Sequence, residues 1–120
     1  MKTKKKKADA KKIIEIIAKA AENKKANELK ILDVSKASKM VDYLIICSGE
    51  STAQIRAIEK EIDKQLRSHK IKGFRWEGLV QSGWMILDLG NIVVHVMGEE
   101  ERKYYNLEDL WEKEAIIYHY

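Results

Sequence analysis

The chain has 120 residues and a mass of 13.9 kDa, one domain's worth of sequence and enough to bury a core without disulfides or a structural metal. Apolar residues make up 45% and charged residues 35%; no apolar run approaches the ~20 residues of a membrane span, and the lone Cys47 excludes an internal disulfide framework. The net charge of +4 is local: Lys2, Lys4, Lys5, Lys6 and Lys7 stand together without an acid, and the rest of the chain carries 18 basic and 19 acidic residues.

Residues 1–7 therefore read as a disordered basic tail on a single domain of residues 8–120. The lysines are followed by no apolar stretch or small-residue cleavage site, which argues against a secretory signal and for a cytoplasmic protein. Two segments are charged in opposite senses. Residues 51–75 carry a net +4 and residues 99–114 a net −4. A basic region can meet phosphate, and an acidic one a basic protein.

Asp9 is placed to cap a first helix, on which Ala10, Ile13, Ile14, Ile17, Ala20 and Ala21 recur on one face as far as Asn23. Leu29 to Val34 reads as a strand. Tyr43 to Cys47 is a continuous apolar run, which suits a central strand buried on both faces. Ser51 and Gln54 have capping-box spacing and open a helix with the stripe Ile55, Ile58, Ile62 and Leu66. His69 and Lys70 suit its C-terminal end, and Gly73 is placed to stop it. A strand at Phe74 to Glu77 then completes a β-α-β unit, whose two strands should run parallel with a right-handed crossover.

Residues 84–89 and 92–97, joined by Gly90-Asn91, predict a β-hairpin. The two-residue loop sets Leu89 against Ile92, Leu87 against Val94 and Met85 against Val96, a wholly apolar face that must be core. The opposite face is mixed: Trp84, Ile86, Asp88, Val93, His95 and Met97, with Asp88 diagonal to His95. Asn106 can cap a last helix with Leu107, Leu110 and Trp111 on one side, and Ile116-Ile117-Tyr118 is apolar enough to pack back on the body. The fold class is α/β (α+β), a mixed sheet of about five strands with flanking helices.

Little of this carries chemistry. His69, His95, His119 and Cys47 are scattered singly, so no metal and no cofactor is expected. Cys47 before a helix could be a nucleophile, but its apolar run favours a buried thiol. Ser48-Gly49-Glu50-Ser51 resembles an anion cradle and the glycine-serine turn of nucleotidyltransferases, yet no pair of acids follows to hold a divalent metal, and a plain helix cap explains the residues. Asp88 and His95 could form an acid-base pair, but no nucleophile accompanies them, and a structural hydrogen bond under Trp84 is the favoured use. Trp76, Trp84, Tyr104, Tyr105 and Trp111, with Arg75 and Arg102, are the residue types of interface hot spots and also of cores. Their acidic neighbours argue against RNA stacking and for a basic protein partner.

Arg75-Trp76-Glu77-Gly78, Trp84, Asp88, Gly90, Val94-His95-Val96, Glu100, Arg102, Tyr105, Leu107-Glu108 and Leu110-Trp111 form a long series, preceded by Leu32-Asp33-Val34, Asp42-Tyr43, Ser48-Gly49, Ser51, Gln54 and Ala57-Ile58. The series resembles the Iojap-like family, the ribosomal silencing factors, over about residues 13–111. Met97 stands where the family usually has Phe, and Gly98-Glu99 replaces a stretch that often includes Pro. The resemblance implies a nucleotidyltransferase-like core without catalytic acids, and a non-enzymatic translation repressor. It implies binding to a ribosomal protein on the intersubunit face of the large subunit, which blocks the small subunit from joining under nutrient limitation. Two other classes stay open, a nucleotidyltransferase-like enzyme and an RNA-binding module acting in ribosome assembly. A homodimer of the free protein is a further expectation; a membrane is not.

The mixed hairpin face is free for a partner. With residues that follow Met97, it gives the expected interface: Glu77, Trp84, Asp88, His95, Arg102, Tyr105 and Glu108. Trp111 is assigned to the core beside Leu107 and Leu110. Lys4, Lys5, Lys6 and Lys7 are assigned an accessory contact with ribosomal RNA.

Overall fold

The computed structural model describes the backbone of residues 2–111 and 116–119 and the side chains of residues 9–111. Helix α1 spans Lys2–Asn23. It starts well before Asp9, which therefore lies inside the helix rather than capping it, and the lysines expected to form a disordered tail continue the helix. Lysine is a good helix former, and no glycine or proline interrupts residues 2–9. The apolar stripe behaves as expected: Ala10, Ile14, Ile17, Ala20 and Ala21 are buried.

Helix α2, Thr52–Ser68, buries Ile55, Ile58, Ile62 and Leu66. Its N-terminus is the expected cap: the Ser51 hydroxyl accepts from the Gln54 N–H at 3.1 Å, while Gln54 Oε1 accepts from the Glu50 N–H at 2.7 Å. Its end is not at Gly73. Lys70 takes the left-handed conformation at φ 58, its N–H bonds the Arg67 carbonyl, and the Ile71 N–H reaches back to Leu66. Helix α1 closes the same way, with Lys25 at φ 60 and the Ala26 N–H on the Ala21 carbonyl. The two closing hydrogen bonds offset the cost of left-handed backbone at a lysine, so no glycine is needed.

The strands are β1 (Asn27–Asp33), β2 (Tyr43–Gly49), β3 (Arg75–Leu79), β4 (Trp84–Asp88), β5 (Ile92–Gly98) and β6 (Ile116–His119), in the sheet order β3-β4-β5-β2-β1-β6. The sheet thus has six strands where about five were expected; the added one is the apolar tail, paired antiparallel on the outer edge of β1. Among the described residues, only β2 and β5 pair in parallel. Strands β2 and β3 do point the same way, as the β-α-β reading requires, but β4 and β5 lie between them. Strand β5 is nearly as apolar as β2, and both take central places where each face is covered. The hairpin has the predicted register, with Met85 opposite Val96, Leu87 opposite Val94 and the Leu89 N–H on the Ile92 carbonyl.

One face of the sheet is packed by α1 and α2 over Ile31, Ile45, Cys47, Met85, Leu87, Ile92, Val94 and Val96. The other is covered in part. Helices α3 (Glu99–Tyr105) and α4 (Leu107–Trp111) follow β5, and Leu107 and Trp111 pack on Leu32, Val34, Leu44 and Ile46. The three glutamates that open α3 suit the positive end of its dipole. Asn106 closes α3 in the left-handed conformation and, as expected, stands directly before the last helix, its carbonyl accepting from the Asp109 N–H at 3.2 Å. The expected apolar side of α4 divides as well: residues four apart share a face, so Leu107 and Trp111 turn inward, and Leu110 is 69% exposed.

Candidate protein-docking face

The half of that second face built from β3 and β4 lies outside the apolar cluster under α4. Residues directly opposed in register share a face. Leu79 opposes Trp84, which opposes Met97; Glu77 opposes Ile86, which opposes His95; Arg75 opposes Asp88. Gly78 permits this arrangement. It sits at φ 95, and a side chain there would run into the Trp84 carbonyl.

Trp84 is half-buried at the border between the covered and open halves. Its ring lies 4.6 Å from that of Tyr105 and 5.9 Å from that of His95. The indole N–H donates to His95 Nδ1 at 3.0 Å, which places the imidazole proton on Nε2. Burial holds the His95 pKa down to about 4, so near neutral pH the ring is the uncharged acceptor that the indole requires. Around this pair Tyr105 is 50%, Leu79 66% and Tyr104 82% exposed, and Tyr104 stands edge-on to Tyr105. The result is an aromatic and aliphatic surface with one anchored tryptophan, the composition of an interface centre.

The seven expected interface residues do not form one surface. Glu77, Trp84 and Tyr105 belong to the open half, and Glu77 pairs with Arg75 at 3.0 Å. His95 lies beneath, holding Trp84. Asp88 does not meet His95: its Oδ1 accepts from the Gly90 N–H at 2.8 Å and fixes the hairpin turn, which removes the acid-base pair. Arg102 and Glu108 are internal. Arg102 is buried, donating from Nε to Glu108 Oε1 at 2.6 Å, from Nη1 to the Asn27 carbonyl and Ser48 Oγ, and from Nη2 to the Glu28 carbonyl at 2.7 Å. Glu28 is in left-handed backbone at φ 44, within an irregularity of β1 that Arg102 thereby pins. Burial raises the Glu108 pKa, but hydrogen bonds and charge from Arg102 and from Lys30, at 2.8 Å, outweigh it and hold the carboxyl below its ordinary range. Arginine was read as a surface anchor because its type is enriched there; a fork facing three backbone and side-chain oxygens brought from β1 and β2 is invisible in the sequence.

The remaining candidates are inert. Cys47 is fully buried, and desolvation pushes its thiol up to about 12. The Ser48-Gly49-Glu50-Ser51 turn is spent internally: Ser48 Oγ on Arg102, Ser51 Oγ on Gln54 and the Glu50 N–H on Gln54. Trp76 donates its indole N–H to Asp63 at 3.0 Å and packs against the helical core. Sequence reasoning missed Leu79; the register of β3 against the hairpin would have found it. Among the described residues, no three His, Cys, Asp or Glu side chains gather as metal ligands, and no helix is long and apolar enough to cross a membrane.

The family model described as "Ribosomal silencing factor during starvation" matches residues 7–118. The chain belongs to this ribosomal silencing factor family. It is 42% identical to the ribosomal silencing factor RsfS of Bacillus subtilis, over 84% of this chain and 86% of that protein. It is 29% identical to a mouse protein named mitochondrial assembly of ribosomal large subunit protein 1, over 82% of this chain and 44% of that longer one. A crystal structure of a Bacillus halodurans protein superimposes with a TM-score of 0.76 at 36% identity, covering 88% of this chain and 97% of that one. The matched residues 7–118 include both halves of the second sheet face of this chain.

Proposed function

We propose that this chain represses translation by occupying the large ribosomal subunit. The open half of the sheet, centred on Trp84 and Tyr105, docks on a ribosomal protein at the intersubunit face and sterically blocks the small subunit, in the cytoplasm and under nutrient limitation. The observation that carries this reading is a half-buried tryptophan, fixed by His95 and flanked by Tyr105 and Leu79, on a sheet face that its own helices leave partly uncovered. The name of the mouse relative points the same way, to the large subunit. No catalysis is assigned: the turn that resembles a nucleotide site has both hydroxyls and the Glu50 N–H engaged within the chain. Glu77 sits on the rim, Lys4, Lys5, Lys6 and Lys7 make an accessory contact with ribosomal RNA, and a homodimer through the same open face is the form of the free protein. Co-sedimentation with separated subunits tests the reading. The protein should pellet with large and not small subunits, and should lower the yield of joined ribosomes without turnover of any nucleotide; pelleting with neither subunit would overturn it.

A further inference from the structure

Near the end of β3 away from Trp84, two separate elements bring their positive charge together. Helices α1 and α2 run antiparallel. Gln54 at the start of α2 donates to the carbonyls of Lys24 and Lys25 at 3.2 and 2.9 Å, past the end of α1. At the opposite end, Asp9, Lys12, Ile13 and Ile16 of α1 share the wall of one cavity with His69 and Ile71 of the loop after α2. Lys12 and its neighbours on α1 therefore lie beside the loop that follows α2. Residues 2–12 hold seven lysines and one acid, Asp9; residues 67–75 hold Arg67, Lys70, Lys72 and Arg75 and no acid.

Two of these cations are already engaged, Arg67 with Asp63 at 2.8 Å and Arg75 with Glu77 at 3.0 Å. Among the described residues, Lys11, Lys12, Lys70 and Lys72 are exposed and have no ion-pair partner. Strand β3 leads from this pole at Arg75 to the docking face at Leu79. Four steps at strand rise separate the two by about 13 Å, so one partner can touch both.

We propose that this pole binds the phosphate backbone of helical RNA, with Lys11, Lys12, Lys70 and Lys72 as the contacts. Clustered lysines on two elements match a charged backbone without reading bases. A lipid surface fits less well. A basic helix that lies in a membrane needs a free apolar face, and the apolar face of α1 is spent on the core, with Ala10, Ile14 and Ile17 buried. RNA rather than DNA is chosen on the silencing-factor reading; the charge geometry stands without it.

The test is binding of the full chain to a short RNA duplex of arbitrary sequence, which contains no ribosomal protein, so that its outcome is separable from subunit co-sedimentation. The logarithm of the affinity should fall with that of salt at a slope of about −4, set by the number of phosphates neutralised. The double variant Lys70→Asn, Lys72→Gln should weaken binding about tenfold at low salt and flatten the slope by about two, roughly one per lysine. Lys11→Gln with Lys12→Gln examines the same pole from the other element and should do the same. The charge-matched pair Arg56→Gln, Lys60→Gln, nearer the start of α2, should change little. Absence of duplex binding at low salt, an unchanged slope in both pole variants, an equal loss in the Arg56 and Lys60 variant, or preference for phosphatidylserine vesicles over the duplex would each overturn the proposal.

Discussion

The two halves of one sheet face carry the same kinds of residue and use them in opposite ways. Under α3 and α4, Trp111 and Leu107 pack inward on four aliphatic side chains, and Arg102 and Glu108 form a buried lock across β1 and β2. Over β3 and β4, Trp84 and Tyr105 sit on a surface bordered by the exposed Leu79. Residue type does not separate the halves. What separates them is how far the short α3-α4 segment reaches after β5: Leu107 and Trp111 of α4 pack over β1 and β2, and among the described residues no helix that follows β5 packs over β3.

The covered half should fail as structure. Arg102→Ala removes five donors from a site holding one carboxylate, two carbonyls and a hydroxyl, and it frees the strained backbone at Glu28. Breaking one side of a buried, hydrogen-bonded ion pair costs about 3–5 kcal/mol, and urea unfolding should show a loss of that size. Arg102→Lys should recover only a small part, because an ammonium cannot serve the fork. A loss below about 1 kcal/mol, the range of an exposed pair, would place Arg102 on the surface after all and erase the distinction between the halves.

The open half should fail as binding. Trp84→Ala should weaken large-subunit association by about 2 kcal/mol or more, roughly thirtyfold, as expected of a central aromatic anchor. Circular dichroism should show it folded, since Trp84 keeps one side in solvent. An unfolded variant would mean that the open half is core, and normal pelleting by a folded one would move the docking site elsewhere.

Most of the covered architecture was legible from local pattern. The apolar stripe of α2, the Ser51 cap and the hairpin register follow from spacings of two, three and four residues, where sterics and hydrogen bonding act directly. The site was legible only in part. Trp84 and Tyr105 were chosen correctly as neighbours, because the hairpin fixes one and the chain must return past it with the other. Arg102 and Glu108 were misplaced because their roles depend on Asn27, Glu28, Lys30 and Ser48, positions 54 to 78 residues away in the chain, and on a β1 irregularity that no local signal announces. The stop at Lys70 was missed for a different reason: a favourable hydrogen-bond closure outweighed a residue preference.

His95 offers a way to loosen the open half without touching its surface. The unfolded chain binds a proton on this ring below the usual 6.5, while the folded chain resists it down to about 4. The unfolded state therefore holds more protons between those values, and stability must fall as pH drops through that window. Going from about pH 7 to about pH 5 should cost about 2 kcal/mol in urea titrations. His95→Asn cannot titrate and should lose this dependence. The Glu108 lock behaves differently: its carboxyl is held below the ordinary range, so its contribution persists through this window and is lost only as pH falls lower. If His95→Asn keeps the full pH dependence, the titrating group is not His95.

The smallest effect is expected at Glu77, and it decides whether the open half works by charge or by apolar contact. Glu77 and Arg75 are paired at 3.0 Å with side chains 53% and 72% exposed, a geometry worth no more than about 1 kcal/mol to folding. On the rim of the docking face, a single carboxylate adds to the rate of encounter and little to the lifetime of the complex. Glu77→Gln should thus leave the thermal midpoint unchanged within error and weaken subunit binding less than threefold or so, with the change appearing in the association rate and vanishing at high salt. Trp84→Ala should instead act on the dissociation rate and keep its effect at high salt. If Glu77→Gln proved the more damaging of the two, the partner would be held by its basic charge. The acidic residues of α3 would then be the better place to look for the centre of the interface.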